Sequence, residues 1–281
     1  DLPVKAVWQA EIESADEQHW EAISGGMAGD YVLAAGGGLA VDAAKYIAGK
    51  KNLPLACIPT ALTVDAFFTR ASGVRRNGCV VYLETKTPDK VVMDLALLAK
   101  APPALRAAGI CDVLSIATGN WDWEYAHKKN KLDEETRFIP YISANARSIL
   151  LGALDCAEAA GRGDPAGLKQ LIDCLALEVQ LCNQIGHSRP EEGSEHYFAY
   201  SMENLMGPGL THGELVGPGI LLMAEMQGQD TRILKKALTA CSIPLNKAPA
   251  EAIQTTLREL PDYCIKNNLP FGIAHEIHKG L

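Results

Sequence analysis

Three consecutive glycines, Gly36, Gly37 and Gly38, join a compact aliphatic and β-branched run at residues 30–35 to a helical pattern at 39–49. A glycine turn between strand and helix lets the backbone approach a ligand closely and directs the first helical N–H groups at a phosphate. A pyrophosphate is the ligand that such a turn suggests. The pattern is not GxGxxG, because Val41 occupies the third glycine place, so a tight turn without a ligand satisfies the same residues. Asp42 and Lys45, on the first turns of the helix, read as a solvated pair.

Around that turn, residues 4–8 alternate as a strand, 15–23 suit a short helix, and 55–59 and 91–94 are further strand candidates. Strands alternating with helices predict a mostly parallel sheet covered on both faces. After Pro102 and Pro103 the texture changes to long helical patterns at 144–160, 166–186 and 213–228. The expected organisation is an α/β dinucleotide-binding domain over 1–100 and an all-helical domain over 101–281. The active site is expected in the cleft between them, a common place for a pocket. The chain opens almost directly on a strand, so the sheet reads as short for a dinucleotide domain. Either the domain is small or an amino-terminal strand and helix are missing from this chain.

With 281 residues and 48% hydrophobic content the chain can bury an ordinary core. Its formal charge of -8 comes without long basic runs, which argues against nucleic acid or a polybasic membrane surface and favours a small-molecule ligand. The first residues lack the features of a secretory signal, and no apolar run approaches the roughly 20 residues of a membrane span. Eight scattered cysteines, none in a CxxC pair, read as reduced packing residues of a cytoplasmic protein.

Two further constellations carry chemistry. Residues 58–65, IPTALTVD, place two hydroxyls and a carboxylate directly after a strand, where an α/β sheet presents its binding loops. Thr60 and Thr63 can donate to phosphate or amide oxygens and Asp65 can accept a substrate hydroxyl, although the same residues would serve equally as helix caps. The second is a metal set. Asp112 lies in the apolar stretch AAGICDVL, where a lone carboxylate is costly to bury without a partner. His196 in RPEEGSEH and His212 in LTHGE each sit near a glycine at an expected helix start. One carboxylate and two imidazoles from separate segments make an open site, with positions left for water or a substrate oxygen. His187 could reach the cleft as a substrate contact, whereas His275 and His278 read as surface residues.

Together, GGGLAVDAAK, PTALTVD, DLALLAKAPPALRAAGICDVLS, RPEEGSEH and HGELVGPG resemble the glycerol-1-phosphate dehydrogenase family. That family lies within the larger group of glycerol dehydrogenases, iron-type alcohol dehydrogenases and dehydroquinate synthases. The most specific part is the pairing of GSEH with HG, together with AGxxD followed by Asp122 and Trp123. The resemblance implies a dehydroquinate synthase-like fold and reversible reduction of dihydroxyacetone phosphate to sn-glycerol 1-phosphate, with NAD or NADP as cofactor. Dinucleotide contacts are implied at Gly38, Leu39, Ala40, Val41 and Asp42, at Thr60, Ala61, Leu62 and Thr63, and at Thr69, beside Gly36 and Gly37 of the turn. Substrate contacts are implied at Asp65 and Asp112, and one divalent cation at Asp112, His196 and His212, with zinc, nickel and iron all compatible. A homo-oligomer is expected. Where the family places a substrate-contacting histidine, this chain has Tyr200, which donates a hydrogen bond but carries no cation near neutral pH. That change keeps open an unphosphorylated polyol as substrate. A dehydroquinate synthase-like cyclase and a non-catalytic metal- or nucleotide-binding remnant fit the same residues.

Overall fold

The computed structural model describes residues 5–277 and divides the chain into two compact units. The first takes the residues up to Ala61 and Ala66–Asp94, and the second takes Leu62–Asp65 with the residues from Leu95 onward.

In the first unit α1 (Glu17–Gly26) precedes β1 (Val32–Gly36), α2 (Gly38–Lys51) and β2 (Leu55–Pro59). A hairpin of β3 (Ala71–Arg76) and β4 (Cys79–Glu84) follows, and then the short β5 (Lys90–Val91). β1, β2 and β5 form a parallel sheet in the order β1-β2-β5, with Val32 opposite Leu55 and Gly36 opposite Pro59. Parallel strands need coverage, and α2 supplies it: Val41, Ala44 and Ala48 pack with Ala34, Leu55, Cys57 and Phe67. On its other side α2 meets Trp20 and Val74 through Ala43. The strand predicted at 4–8 does not form. Residues 5–8 are irregular, since a strand needs a neighbour for its backbone groups and no described strand pairs with this segment; Val4 lies outside the described residues.

The second unit is helical in every regular element described: α3 (Leu95–Ala99), α4 (Pro103–Arg106), α5 (Ile110–Lys128), α6 (Pro140–Arg162), α7 (Pro165–Ile185), α8 (Ser194–Met206), α9 (His212–Met226), α10 (Arg232–Ala240), α11 (Ala250–Lys266) and a 3-10 turn at Ile273–His275. The predicted patterns at 144–160, 166–186 and 213–228 fall within α6, across α7 and across α9. α5 runs through the middle, buried at Ile110, Val113, Leu114, Ile116 and Trp123. The detached piece Leu62–Asp65 is tied to the corner between α4 and α5 by main-chain bonds from Gly109 N to Leu62 O (2.7 Å) and from Leu62 N to Arg106 O (3.4 Å). No described helix is long and apolar enough to cross a membrane. All eight cysteines are buried and unbridged.

Candidate metal centre and nucleotide turn

In the first unit the glycine turn is built as its residues require. Gly36 closes β1 at φ +156°, and a Cβ there would lie 2.8 Å from the Ala40 side chain. Gly37 caps α2, and Thr60 N donates to Gly36 O (3.1 Å), placing the start of the Thr60 loop beside the turn. Val41 and Leu62 are fully buried, each in its own unit. Lys45 corrects the expectation of a solvated pair. It is 0% exposed, and its ammonium donates to Ala66 O (2.9 Å), Thr69 Oγ1 (2.8 Å) and Ala71 O while pairing with Asp42 Oδ1 at 2.8 Å. Asp42 also accepts from Gly73 N at 3.1 Å. Asp42 and Lys45 thus bind the segment after β2 and the hairpin to α2. Thr69, expected at the cofactor, receives Lys45 and donates to Ala71 O (3.0 Å).

In the second unit Asp112, His196 and His212 come together, each in the first turn of its helix: α5, α8 and α9. One ligand atom from each lies within 4.8 Å of the others. His212 Nε2 is 2.7 Å and His196 Nε2 3.8 Å from the same oxygen, Asp112 Oδ1. The second oxygen, Oδ2, accepts Asp65 N at 2.9 Å. Asp112 and His196 are 8% and 6% exposed, while the His212 side chain is 29% exposed. Burial works against ionising Asp112, but the charge of His212, the hydrogen bond that it makes and the nearby His196 imidazole outweigh it, holding the carboxyl well below the usual range. Its place in the first turn of α5 adds to that preference for negative charge. Burial also opposes the charged form of His196, yet the Asp112 carboxylate nearby and the hydrogen bond to Glu195 lift it well above the ordinary value.

The donor set fits a divalent cation. Two imidazole nitrogens and a carboxylate oxygen, gathered within 4.8 Å of one another, are the donor types that such an ion binds at about 2.0–2.2 Å. The far nitrogen of His196, Nδ1, sits 2.9 Å from Glu195 Oε1, which also accepts Gly193 N at 2.7 Å. A carboxylate behind a ligating histidine fixes its ring and tautomer. The neighbourhood is rich in carboxyls that sequence inspection misses. Glu195 is fully buried, and neither carboxyl oxygen of Glu178, 1% exposed, meets a hydrogen-bond partner among the described residues. Burial and neighbouring carboxylates push Glu178 and Glu191 well above the ordinary glutamate range. Tyr200 lies 6.0 Å from the His196 ring, centroid to centroid, and its hydroxyl donates to Glu192 Oε1 at 2.7 Å. His187 stands edge-on to Trp123 at 5.3 Å, with its Nδ1 accepting from Arg189 N. His275 is half-buried, and Nδ1 accepts from Gly272 N, because the 3-10 turn carries it inward; His278 lies outside the described residues.

The glycine turn on a parallel sheet and the Asp-His-His cluster in a helical unit stand in a chain whose residues 3–102 match the iron-containing alcohol dehydrogenase family. Among relatives, the glycerol-1-phosphate dehydrogenase [NAD(P)+] of Sulfurisphaera tokodaii is 30% identical over 239 residues, covering 85% of this chain and 67% of the relative. That of Methanothrix thermoacetophila is 30% identical over 216 residues, covering 76% and 60%. The chain belongs to the glycerol-1-phosphate dehydrogenase family. It spans about three-fifths to two-thirds of the length of these relatives. The fold is shared with a probable glycerol dehydrogenase from Sinorhizobium meliloti (TM-score 0.68, 18% identity, 92% of this chain and 76% of that one). It is shared also with glycerol dehydrogenase from Schizosaccharomyces pombe (TM-score 0.66, 19% identity, 95% and 70%).

Proposed function

We propose that this chain carries the nucleotide turn and the metal centre of an NAD(P)-linked oxidoreductase that interconverts dihydroxyacetone phosphate and sn-glycerol 1-phosphate. The observation that carries this reading is the meeting of Asp112, His196 and His212 within 4.8 Å. These three hold one divalent cation; zinc is our first choice, and nickel or ferrous iron suits the same ligands. When bound, the cation supplies Lewis acidity toward the secondary hydroxyl or ketone and the nicotinamide supplies the hydride chemistry.

The protein's part is positioning and charge. Glu195 holds Nδ1 of His196 so that Nε2 faces Asp112. The main chain of Asp65 occupies Asp112 Oδ2 and leaves Oδ1 to the imidazoles. The Asp65 carboxylate orients a substrate hydroxyl, and Tyr200, its own proton committed to Glu192, offers its oxygen as an acceptor. Gly36, Gly37, Gly38, Leu39 and Ala40 receive the cofactor's pyrophosphate at the start of α2. Thr60, Ala61 and Thr63 supply further contacts. Eight unbridged thiols support a reducing, cytoplasmic setting, and the working form is a homo-oligomer.

A second reading, oxidation of an unphosphorylated polyol, is favoured by one observation. Tyr200 is bonded to the Glu192 carboxylate where the family's histidine could present positive charge to a phosphate.

The test pairs elemental analysis of the purified protein with NADH- and NADPH-linked assays on dihydroxyacetone phosphate, dihydroxyacetone and glycerol. His196→Ala is expected to lose bound metal and turnover together. Asp65→Ala is expected to keep the metal and lose about a hundredfold in kcat/KM, the cost of a misplaced substrate. Stoichiometric metal in the His196→Ala protein would overturn the assignment, and turnover confined to unphosphorylated substrates would select the second reading.

A further inference from the structure

The His196 ligand sits two residues into a helix whose start is fastened from outside itself. Ser194, the first residue of α8, gives both its N–H (2.8 Å) and its hydroxyl (2.5 Å) to one oxygen of Asp122, on α5. The other oxygen of Asp122 accepts Ile273 N at 2.8 Å and the Gln227 side-chain amide at 3.2 Å. Ser194 Oγ in turn accepts Ala274 N at 2.9 Å. One fully buried carboxylate thus takes four donors from α8, the segment after α9 and the 3-10 turn. Two of those donors are the N–H and hydroxyl of a single residue. A helix start left without a capping side chain has several unsatisfied N–H groups, and Gly193, the capping residue here, has no side chain to offer. Asp122 does that work from a neighbouring helix.

The backbones are drawn in to make it possible. A Cβ on Gly193 would stand 2.8 Å from Gly119 Cα and 2.9 Å from Asp122 Oδ2. A Cβ on Gly272 would collide with the same carboxylate and lie 2.7 Å from Ser194 Oγ. Arg189 reinforces the junction by donating to Asp122 O (3.2 Å) and Phe271 O (2.7 Å). Asp122 stands on the same helix as Asp112, ten residues on, close to three turns. Its anchorage of Ser194 therefore sets His196 relative to Asp112 through one rigid element.

We infer that Asp122 is a positioning residue of the metal centre: by holding Ser194 it sets the first turn of α8, and with it His196, in register with Asp112. This inference rests on the metal reading above. It separates Asp122 from a residue that merely stabilises the fold, because a fold-stabilising carboxylate would leave the cation affinity of the folded protein unchanged.

The test is Zn2+ titration of the chelator-stripped protein against a chromophoric competitor, well below the melting temperature. Wild type, Asp122→Asn, Ser194→Ala, the double variant and His196→Ala are compared, with circular dichroism reporting the fold. Asp122→Asn keeps the shape but turns one acceptor into a donor facing other donors, and is expected to weaken Zn2+ binding by about 10- to 100-fold, as loss of supporting shells around metal ligands does. Ser194→Ala retains the main-chain bond and should cost less. The double variant should bind about as Asp122→Asn does, because both changes break one link. A folded Asp122→Asn protein that binds Zn2+ within about twofold of wild type, inside ordinary additivity error, would overturn the inference. If Asp122→Asn does not fold, Ser194→Ala decides: unchanged affinity there overturns it and a loss supports it. Equal Zn2+ binding by wild type and His196→Ala would bring down the metal reading itself, and this inference with it.

Discussion

A lysine whose ammonium is wholly enclosed must find an acceptor on every side, and Lys45 does: Ala66 O, Thr69 Oγ1, Ala71 O and the Asp42 carboxylate. Burial outweighs the pull of Lys45 and leaves the Asp42 carboxyl above its ordinary range, so the Asp42 charge depends on its partner. Lys45→Met keeps the stem and removes the charge, stranding Asp42 and three oxygens. Breaking a buried pair from one side is expected to cost about 3 kcal/mol, read as a lower urea midpoint. A loss under about 1 kcal/mol would put the pair among ordinary surface bridges. Spacing alone could not reveal this, because Asp42 and Lys45 stand three apart on a helix whether or not a hairpin closes over them. The same blindness applies to Glu195 and Glu178, whose burial is decided by distant segments. Asp112, His196 and His212 were legible for the opposite reason: a carboxylate in an apolar helix and two histidines beside glycines are costly or unusual locally, before any packing is known.

Elements whose apolar pattern is unbroken emerge close to their predicted spans. The 166–186 pattern becomes α7 over Pro165–Ile185, and 55–59 becomes β2 over Leu55–Pro59. Those that depend on a partner do not: 91–94 shrinks to the pairing of Lys90–Val91 with β2, and the β3–β4 hairpin is not among the strands that the sequence predicts. Its signal is present at Asn77 and Gly78, both left-handed (φ 55° and 77°), the two-residue turn that joins antiparallel strands. Helix ends are the most local of these signals. Asp164 accepts Ala166 N (2.9 Å) and Gly167 N (3.3 Å) at the start of α7, with Pro165 in the first turn. Asp164→Ala should therefore cost about 1 kcal/mol of stability, and Asp164→Asn much less. Equal melting temperatures for all three proteins would mean that α7 is held by its packing alone. Two of the helix starts at the metal centre follow the same rule with different devices. α9 has a Thr211–Glu214 capping box, whereas α8 borrows Asp122.

At the scale of the whole molecule, titration is governed by where carboxyls are buried rather than by the formal charge of -8. Burial, then Glu191, Asp65 and Asp112, raise Glu178 well above its ordinary value of 4.5. A carboxyl whose pKa rises on folding gives its full contribution below the ordinary range, and that contribution is lost as the pH climbs toward the folded value. His187 and His275 act the other way. Burial lowers both from 6.5, so their contribution is full above that value and is lost as the pH falls below it. Wild type and Glu178→Gln share the histidines, whose effect cancels in a comparison of the two. Gln does not titrate, so in chelator-treated protein the melting temperature of Glu178→Gln minus that of wild type should grow between about pH 5 and about pH 8. Whatever constant offset the buried amide introduces drops out of that comparison. Zn2+ should narrow the growth, because a cation beside Asp112 favours ionised carboxylates nearby. A difference flat across the range would mean that Glu178 is solvated or paired in solution. Growth that Zn2+ leaves untouched would separate Glu178 from the Asp112 centre.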